Sequence, residues 1–170
     1  MFVAQGIEIR GHRAALWEAT RVTLDLIAEH GLACDSSSMG DGRPYVLEVA
    51  DRSIVELPVY WSLDDWERAY LPSPQIGSVI ESPRKVPELW TAELDAMRHY
   101  RCLFNLCLHP FLSGRPSRLL ALRSLIEYAQ ASGGITFARC RDLADATHSD
   151  PSLQPRKPPT VSADPAVYPD

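Results

Sequence analysis

The sequence lacks several features that mark common functional classes. Its 170 residues contain no apolar run near the roughly 18 residues that a membrane-spanning helix needs. The first residues carry no basic segment of the kind that begins a signal peptide. The formal net charge is -5, whereas proteins that bind nucleic acid or anionic membranes usually present a basic face. We therefore predict a cytoplasmic protein that binds neither nucleic acid nor membrane.

Cysteine and histidine patterns that hold metals are also missing. The four cysteines form no Cys-x-x-Cys pair, no histidine stands at zinc-finger spacing from them, and no His–Asp cluster has metal-ligand spacing. Cys102 and Cys107 fall in an apolar stretch, where a free cysteine behaves as a small hydrophobic residue. We therefore predict reduced thiols and no metal site in this chain.

Apolar spacing predicts an α/β fold. Helical periodicity occurs over 20–30, 86–100, 116–131 and 141–146, and strand patterns occur over 2–10, 45–49, 54–60, 102–108 and 135–138. Because helices alternate with short buried strands, the class is α/β. Residues 71–83 hold three prolines and predict a surface loop.

The composition changes after residue 146. Over the whole chain 45% of residues are apolar and 23% are charged, as in a globular protein that buries a core. The last 24 residues, in contrast, contain six prolines and no apolar periodicity. We predict one folded region over 1–146 and a disordered tail over 147–170.

His109 is the first candidate for chemistry. It directly follows the apolar run 102–108, at the carboxyl end of a predicted strand, where α/β folds place their active sites. Pro110 disfavours a helical backbone at His109, and an imidazole held there can act as a general acid or base near neutral pH. A histidine that only caps the strand end and bonds to backbone fits the position equally well.

Two charged residues follow other predicted strands in the same way. Arg13 can bind a carboxylate or orient a catalytic Asp, or it can form a structural salt bridge. Asp65 follows the strand 54–60 and can fix the tautomer of His109 if the strand ends converge. The alternative for Asp65 is a cap on the short helix after it.

Three further residues are candidates for substrate binding. Trp61 and Trp66 flank Asp65 and can form a platform for a sugar ring, although packing in the core or at its rim is the more common role of tryptophan. Arg115 stands at the start of a predicted helix, where it can hold an anionic substrate group. It can equally be a solvated side chain.

Five short motifs occur in one order along the chain: 11–18 (GHRAALWE), 35–39 (DSSSM), 55–59 (VELPV), 61–66 (WSLDDW) and 108–110 (LHP). In this order they resemble the polysaccharide deacetylase (NodB-homology) family, in particular its peptidoglycan deacetylase-like, allantoinase-like and cyclic imidase-like branch. The stretch 114–118 (GRPSR) adds to the match, which covers roughly 11–144. The resemblance implies a (β/α) barrel that hydrolyses carbon–nitrogen bonds other than peptide bonds, in small N-acyl or cyclic amide substrates. It also implies zinc or another divalent metal that activates a water.

The resemblance assigns roles residue by residue. His109 matches the histidine that protonates the leaving amine, and Asp65 matches the carboxylate that tunes this acid. Arg13 matches the arginine that orients the general base, and Trp66 matches the aromatic wall beside the acid.

The chain departs from the family pattern in two respects. Ala15 stands where an Arg-x-Pro pattern has proline, and neither an Asp–Asp pair before Gly11 nor a His-x-x-x-His motif is present. The family's base and metal ligands are therefore missing, and we expect a partial barrel that lacks the N-terminal strands. Three explanations remain: a truncated enzyme, a chain completed by another chain that supplies the N-terminal half, or a non-catalytic binding or structural remnant. We favour truncation, and expect a chain that is inactive alone, binds no cofactor alone and self-associates through its exposed edges.

Overall fold

The computed structural model describes residues 3–20, 22–66 and 82–158, and these form two compact units. The sheet unit consists of the described residues in Met1–Ser38, Pro44–Leu57 and Arg139–Asp170. The helical unit consists of those in Met39–Arg43 and Pro58–Ala138. Both helices and strands are present, so the predicted mixed α/β class is confirmed.

The sheet unit is built on four strands in the order β1-β2-β4-β3. These are β1 (Gly11–His12), β2 (Cys34–Asp35), β3 (Tyr45–Val49) and β4 (Arg52–Glu56). β2 runs parallel to both β1 and β4, whereas β3 and β4 form an antiparallel hairpin. Two helices, α1 (Thr23–Glu29) and α5 (Cys140–His148), contact β4. The core of the sheet unit is a cluster of buried apolar side chains: Ile27, Ala28, Tyr45, Leu47, Val49 and Ile54.

In the hairpin, one predicted strand is confirmed, and the other is shorter than predicted. β3 has the predicted bounds, but β4 ends at Glu56, before the predicted end at residue 60. Pro58 has no backbone N–H to donate to a neighbouring strand, so the ladder cannot continue through it. The first predicted strand, over 2–10, does not form in its described residues, because the strand β1 that pairs with β2 begins only at Gly11.

The helical unit contains α2 (Lys85–Tyr100), α3 (Pro110–Ser113) and α4 (Pro116–Ser132), and a 3-10 turn over Trp61–Leu63. The predicted helices over 86–100 and 116–131 are confirmed to within one residue at each end. Trp90 is 1% exposed, and its indole N–H donates to the carbonyl of Ser62 at 3.2 Å. Around it lies a cluster of buried side chains: Leu63, Val86, Leu94, Met97, Leu125 and Ala129.

Two other predicted strands do not form in the described residues. Within 102–108 there is only an isolated parallel bridge between Asp64 and Cys107, and 135–138 has no strand. A strand needs hydrogen-bonding neighbours for its backbone, and an apolar run does not supply them by itself. Of the predicted loop over 71–83, residues 71–81 lie outside the described residues.

The described part of the predicted tail belongs to the sheet unit. α5 ends at His148, two residues past the predicted boundary, and residue Arg156 forms a parallel bridge with Leu47. The amide of Glu48 donates to the carbonyl of Arg156 at 2.8 Å, and the amide of Arg156 donates to Val46 at 2.9 Å. Residues 159–170 lie outside the described residues, and the division into 1–146 and 147–170 stays a prediction. Within the described ranges, no helix is long and apolar enough to span a membrane.

Candidate active site

A short backbone pairing brings Asp65 beside His109 in the helical unit. The amide of Cys107 donates to the carbonyl of Leu63 at 2.8 Å, and the amide of Asp65 donates to the carbonyl of Cys107 at 3.2 Å. His109 is extended, with φ -106° and ψ 120°, and Pro110 opens helix α3 directly after it. The proline therefore keeps the His109 backbone extended, as the sequence predicts, and it also starts a short helix that was not predicted from the sequence.

Asp65 is buried and fully engaged by this turn. Its Oδ1 atom lies 2.6 Å from Nδ1 of His109, and the backbone N–H of His109 donates to both carboxylate oxygens at 3.1 and 2.9 Å. The hydroxyl of Ser113 donates to Oδ2 at 2.5 Å. An ionised carboxylate can only accept hydrogen bonds, so Nδ1 is the donor and Nε2 is left for a substrate. The His109 side chain is 33% exposed, which leaves its ring accessible to a ligand.

Two aromatic rings flank the imidazole. The centroid of Trp66 lies 5.4 Å from that of His109, and Phe111 lies 5.6 Å from His109 and 5.8 Å from Trp66. Trp66 therefore lies beside His109, and its role as an aromatic wall stays a prediction. Phe111 was missed in the sequence because it is an isolated apolar residue, although its place two residues after His109 in a helix start was a usable signal.

The other two predicted substrate-binding residues stay predictions. Trp61 is 48% exposed in the 3-10 turn. Arg115 is exposed at the start of α4, where its Nε atom donates to the carbonyl of Phe111 at 3.3 Å. This contact places Arg115 next to Phe111 but gives it no role toward a ligand.

Arg13 lies in the sheet unit, where it is bound to Ser36. Its Nε atom donates to the Ser36 carbonyl at 3.0 Å and its terminal nitrogen donates to the Ser36 hydroxyl at 2.7 Å. Ser36 in turn donates to the carbonyl of Leu57 at 2.7 Å. The predicted convergence of Arg13 with His109 and Asp65 stays a prediction.

A cavity of about 480 Å³ opens in the sheet unit beside this arginine. Among its lining residues are His12, Arg13, Cys34 and Cys140. Burial, followed by the neighbouring Cys140, raises the pKa of the Cys34 thiol. A raised pKa favours the neutral thiol, which is less nucleophilic than the thiolate.

Three side chains of metal-binding type meet in the helical unit, although the sequence predicts none. Single ligand atoms of Asp64, Cys107 and His109 lie within 4.8 Å of one another. However, the Nδ1 atom of His109 lies 3.7 Å from Asp64 and only 2.6 Å from Asp65. A nitrogen that donates to a carboxylate has no lone pair for a metal. Nδ1 is therefore not a ligand while it donates to Asp65, but Nε2 of the same ring keeps its lone pair, so the group remains a candidate metal site through Nε2.

Similar proteins place this arrangement in context. No protein-family model matches the chain. A peptidoglycan deacetylase of Helicobacter pylori is 27% identical over 165 residues, covering 79% of this chain and 55% of that protein. The crystal structure of a Mycobacterium smegmatis protein described as a polysaccharide deacetylase has 41% identity and a TM-score of 0.83, covering 92% of this chain and 55% of that one. The Puue allantoinase has a TM-score of 0.73 at 22% identity, with 88% and 49% covered, which shows the shared fold alone.

The resemblance to the polysaccharide deacetylases that the five motifs predict is therefore confirmed over most of this chain. The mixed α/β fold of this chain, with its four-stranded sheet, matches part of the polysaccharide deacetylase structures. The chain spans about half the length of the relatives that it matches.

Proposed function

We propose that this chain carries the general-acid part of a polysaccharide deacetylase-like hydrolase that cleaves carbon–nitrogen bonds other than peptide bonds. The substrate class is a small N-acyl compound or a cyclic amide. The observation that carries the proposal is the His109–Asp65 pair, with 2.6 Å between Nδ1 and Oδ1 and a partly exposed ring. Similarity to a peptidoglycan deacetylase and to a structure described as a polysaccharide deacetylase supports the same class.

In this proposal His109 donates the proton on Nε2 to the leaving nitrogen as the carbon–nitrogen bond breaks. Asp65 holds the ring by Nδ1 and stabilises the positive charge of the imidazolium before transfer. Trp66 and Phe111 lie against the ring and exclude water from that side of the proton path. Arg13 orients the general base, as the resemblance implies.

We further propose that the base and the metal ligands come from a segment that a second chain or a longer protein supplies. Among the described residues, Asp64, Cys107 and His109 form a group of metal-binding type, but the family's base and metal motifs are missing from the sequence. The chain alone is then an inactive, truncated form of the enzyme, and its cytoplasmic location remains a prediction. We also expect it to self-associate, because apolar side chains such as Leu119, Leu120 and Phe137 are 53–65% exposed.

The test is a turnover assay with two kinds of substrate. The chain is measured alone and co-expressed with the part of the Mycobacterium smegmatis relative that it does not match. Acetate release from N-acetylglucosamine oligomers reports deacetylation, and ring opening of cyclic imides reports amide hydrolysis. We expect turnover only in the co-expressed sample. If that sample folds as a complex and still turns over neither substrate, the chain is instead a non-catalytic binding or structural remnant.

A further inference from the structure

A row of ionisable side chains crosses three neighbouring strands of the sheet unit. His12 on β1 is in register with Asp35 on β2, and Asp35 is in register with Glu56 on β4. Side chains at paired positions of adjacent strands lie on the same face of a sheet, so the three groups are side by side. Asp35 and Glu56 are each 0% exposed, whereas the His12 side chain at the end of the row is 36% exposed.

One oxygen of each carboxyl group is well satisfied. Oε1 of Glu56 accepts hydrogen bonds from the amides of Ser37 and Ser38 at 3.0 and 2.8 Å. Oδ1 of Asp35 accepts one from the hydroxyl of Ser37 at 3.1 Å and lies 2.8 Å from Nδ1 of His12. These bonds hold the turn that follows β2 against the end of β4.

The second oxygen of each carboxyl group has no donor among the described residues. These atoms are Oδ2 of Asp35 and Oε2 of Glu56, and both are buried. Buried polar atoms are rarely left unpaired, because removing them from water without a partner is costly. A single proton between the two carboxyl groups satisfies both atoms at once.

The electrostatic setting assigns that proton to Glu56. Burial first, and then the charge of Asp35, raise the pKa of Glu56 to about 8, against the opposing effect of the Ser37 and Ser38 amides. The elements packed against β4 carry these ionisable groups: Cys34 and Asp35 on β2, Tyr45 and Glu48 on β3, Asp25 and Glu29 on α1, and Cys140, Arg141, Asp142, Asp145 and His148 on α5. Asp35 acts on Glu56 both by its charge and by a side-chain hydrogen bond.

We propose that Glu56 donates a hydrogen bond to Asp35, and that this carboxyl pair is a positioning device for His12 and Arg13. Asp35 holds His12 directly. Glu56 holds the turn 36–38, and Ser36 of that turn receives both hydrogen bonds from Arg13. The Ser37 hydroxyl also accepts the amide of Ala14 at 2.9 Å, which fixes the segment after β1. These contacts alone support the carboxyl pair. Its importance for catalysis depends on the proposed role of Arg13.

The first test is infrared spectroscopy of the full chain at neutral pH. Wild type is expected to show the C=O stretch of a protonated, buried carboxyl group, which disappears at mildly alkaline pH. Glu56→Gln should lack the band, since glutamine has no carboxyl group, yet it keeps the shape and can donate to Asp35. Glu48→Gln, on the exposed face of β3, is the matched control and should retain it. Absence of the band in wild type, or its survival in Glu56→Gln, would overturn the carboxyl pair.

The second test asks whether the pair positions the two residues. In a pH titration followed by NMR, we expect the Ser37 and Ser38 amides, the Arg13 side-chain Nε and the His12 ring to share one transition near pH 8. The transition should be present in Glu48→Gln and absent from Glu56→Gln. If the NMR signals of the Ser37 and Ser38 amides change in this transition while those of the Arg13 Nε and the His12 ring do not, the positioning role is wrong. Neither readout uses a substrate, so a failed hydrolase assay and a failed carboxyl pair remain distinguishable.

Discussion

At His109, the bond from Nδ1 to Asp65 leaves Nε2 as the atom that can exchange a proton with a substrate. Replacing His109 by Ala removes that acid, and we expect turnover of the co-expressed enzyme to fall roughly 10²–10⁴-fold. The fold should be retained, because the ring is partly exposed and the Asp65 carboxylate keeps Ser113 as a donor. His99→Ala, an exposed histidine on α2, is the control and should leave turnover unchanged. Equal losses in both variants would refute the role of His109.

The role of Asp65 can be tested by replacing one of its carboxylate oxygens with an amide nitrogen. In Asp65→Asn the amide no longer offers a charged acceptor to Nδ1, so we expect the Nδ1–H tautomer of His109 to be lost, with a fall in turnover on the order of 10²–10⁴-fold. Nitrogen NMR of the imidazole reports the tautomer directly. Ser113→Ala is the matched control, because it removes one donor to the same carboxylate. It should cost roughly 1–3 kcal/mol of stability and leave the Nδ1–H tautomer unchanged. Survival of the Nδ1–H signal in Asp65→Asn would contradict this account.

Among the elements, the long helices were predictable and several of the strands were not. α2 and α4 present apolar side chains at helical spacing, and this local pattern fixes their bounds without knowledge of the rest of the fold. The run over 102–108 is equally apolar but forms only one bridge, because strand formation depends on a partner that the run itself does not encode. The same limit applies to the site. Pro110 indicated the extended backbone of His109, whereas the His12–Asp35–Glu56 row depends on strand register.

The packing of helix α2 predicts how much Trp90 contributes to the stability of the chain. Trp90 is 1% exposed in the core of the helical unit, and Trp90→Ala should destabilise the chain by roughly 3–5 kcal/mol through the cavity it leaves. Leu120→Ala, a 65% exposed position on α4, should stay within about 0.5 kcal/mol of wild type. Urea unfolding measures both values. A Trp90→Ala loss no larger than that of Leu120→Ala would mean that this cluster is not the core of the unit.

For the whole molecule, Glu56 makes stability depend on pH in an unusual direction. Its pKa of about 8 in the folded chain exceeds its ordinary value of 4.5, so the folded state holds the proton more tightly. The resulting stability is complete below about pH 4.5 and is lost as the pH rises through about 8. We expect a loss of roughly 2–5 kcal/mol over that window. Thermal unfolding of wild type and Glu56→Gln across the window checks this, and parallel curves for the two proteins would contradict it.

At the scale of the whole molecule, the metal content of the purified chain can also be predicted. In the described residues, the group Asp64, Cys107 and His109 is the candidate for binding a metal, and its imidazole already donates to Asp65. Because the family's base and metal motifs are missing from this sequence, we expect less than one equivalent of zinc after dialysis against zinc, and no amide hydrolysis by the chain alone. Elemental analysis and the acetate-release assay measure the two quantities. Cys107→Ser should change neither. One equivalent of zinc that disappears in Cys107→Ser, together with turnover by the chain alone, would show that these three residues form a working metal site.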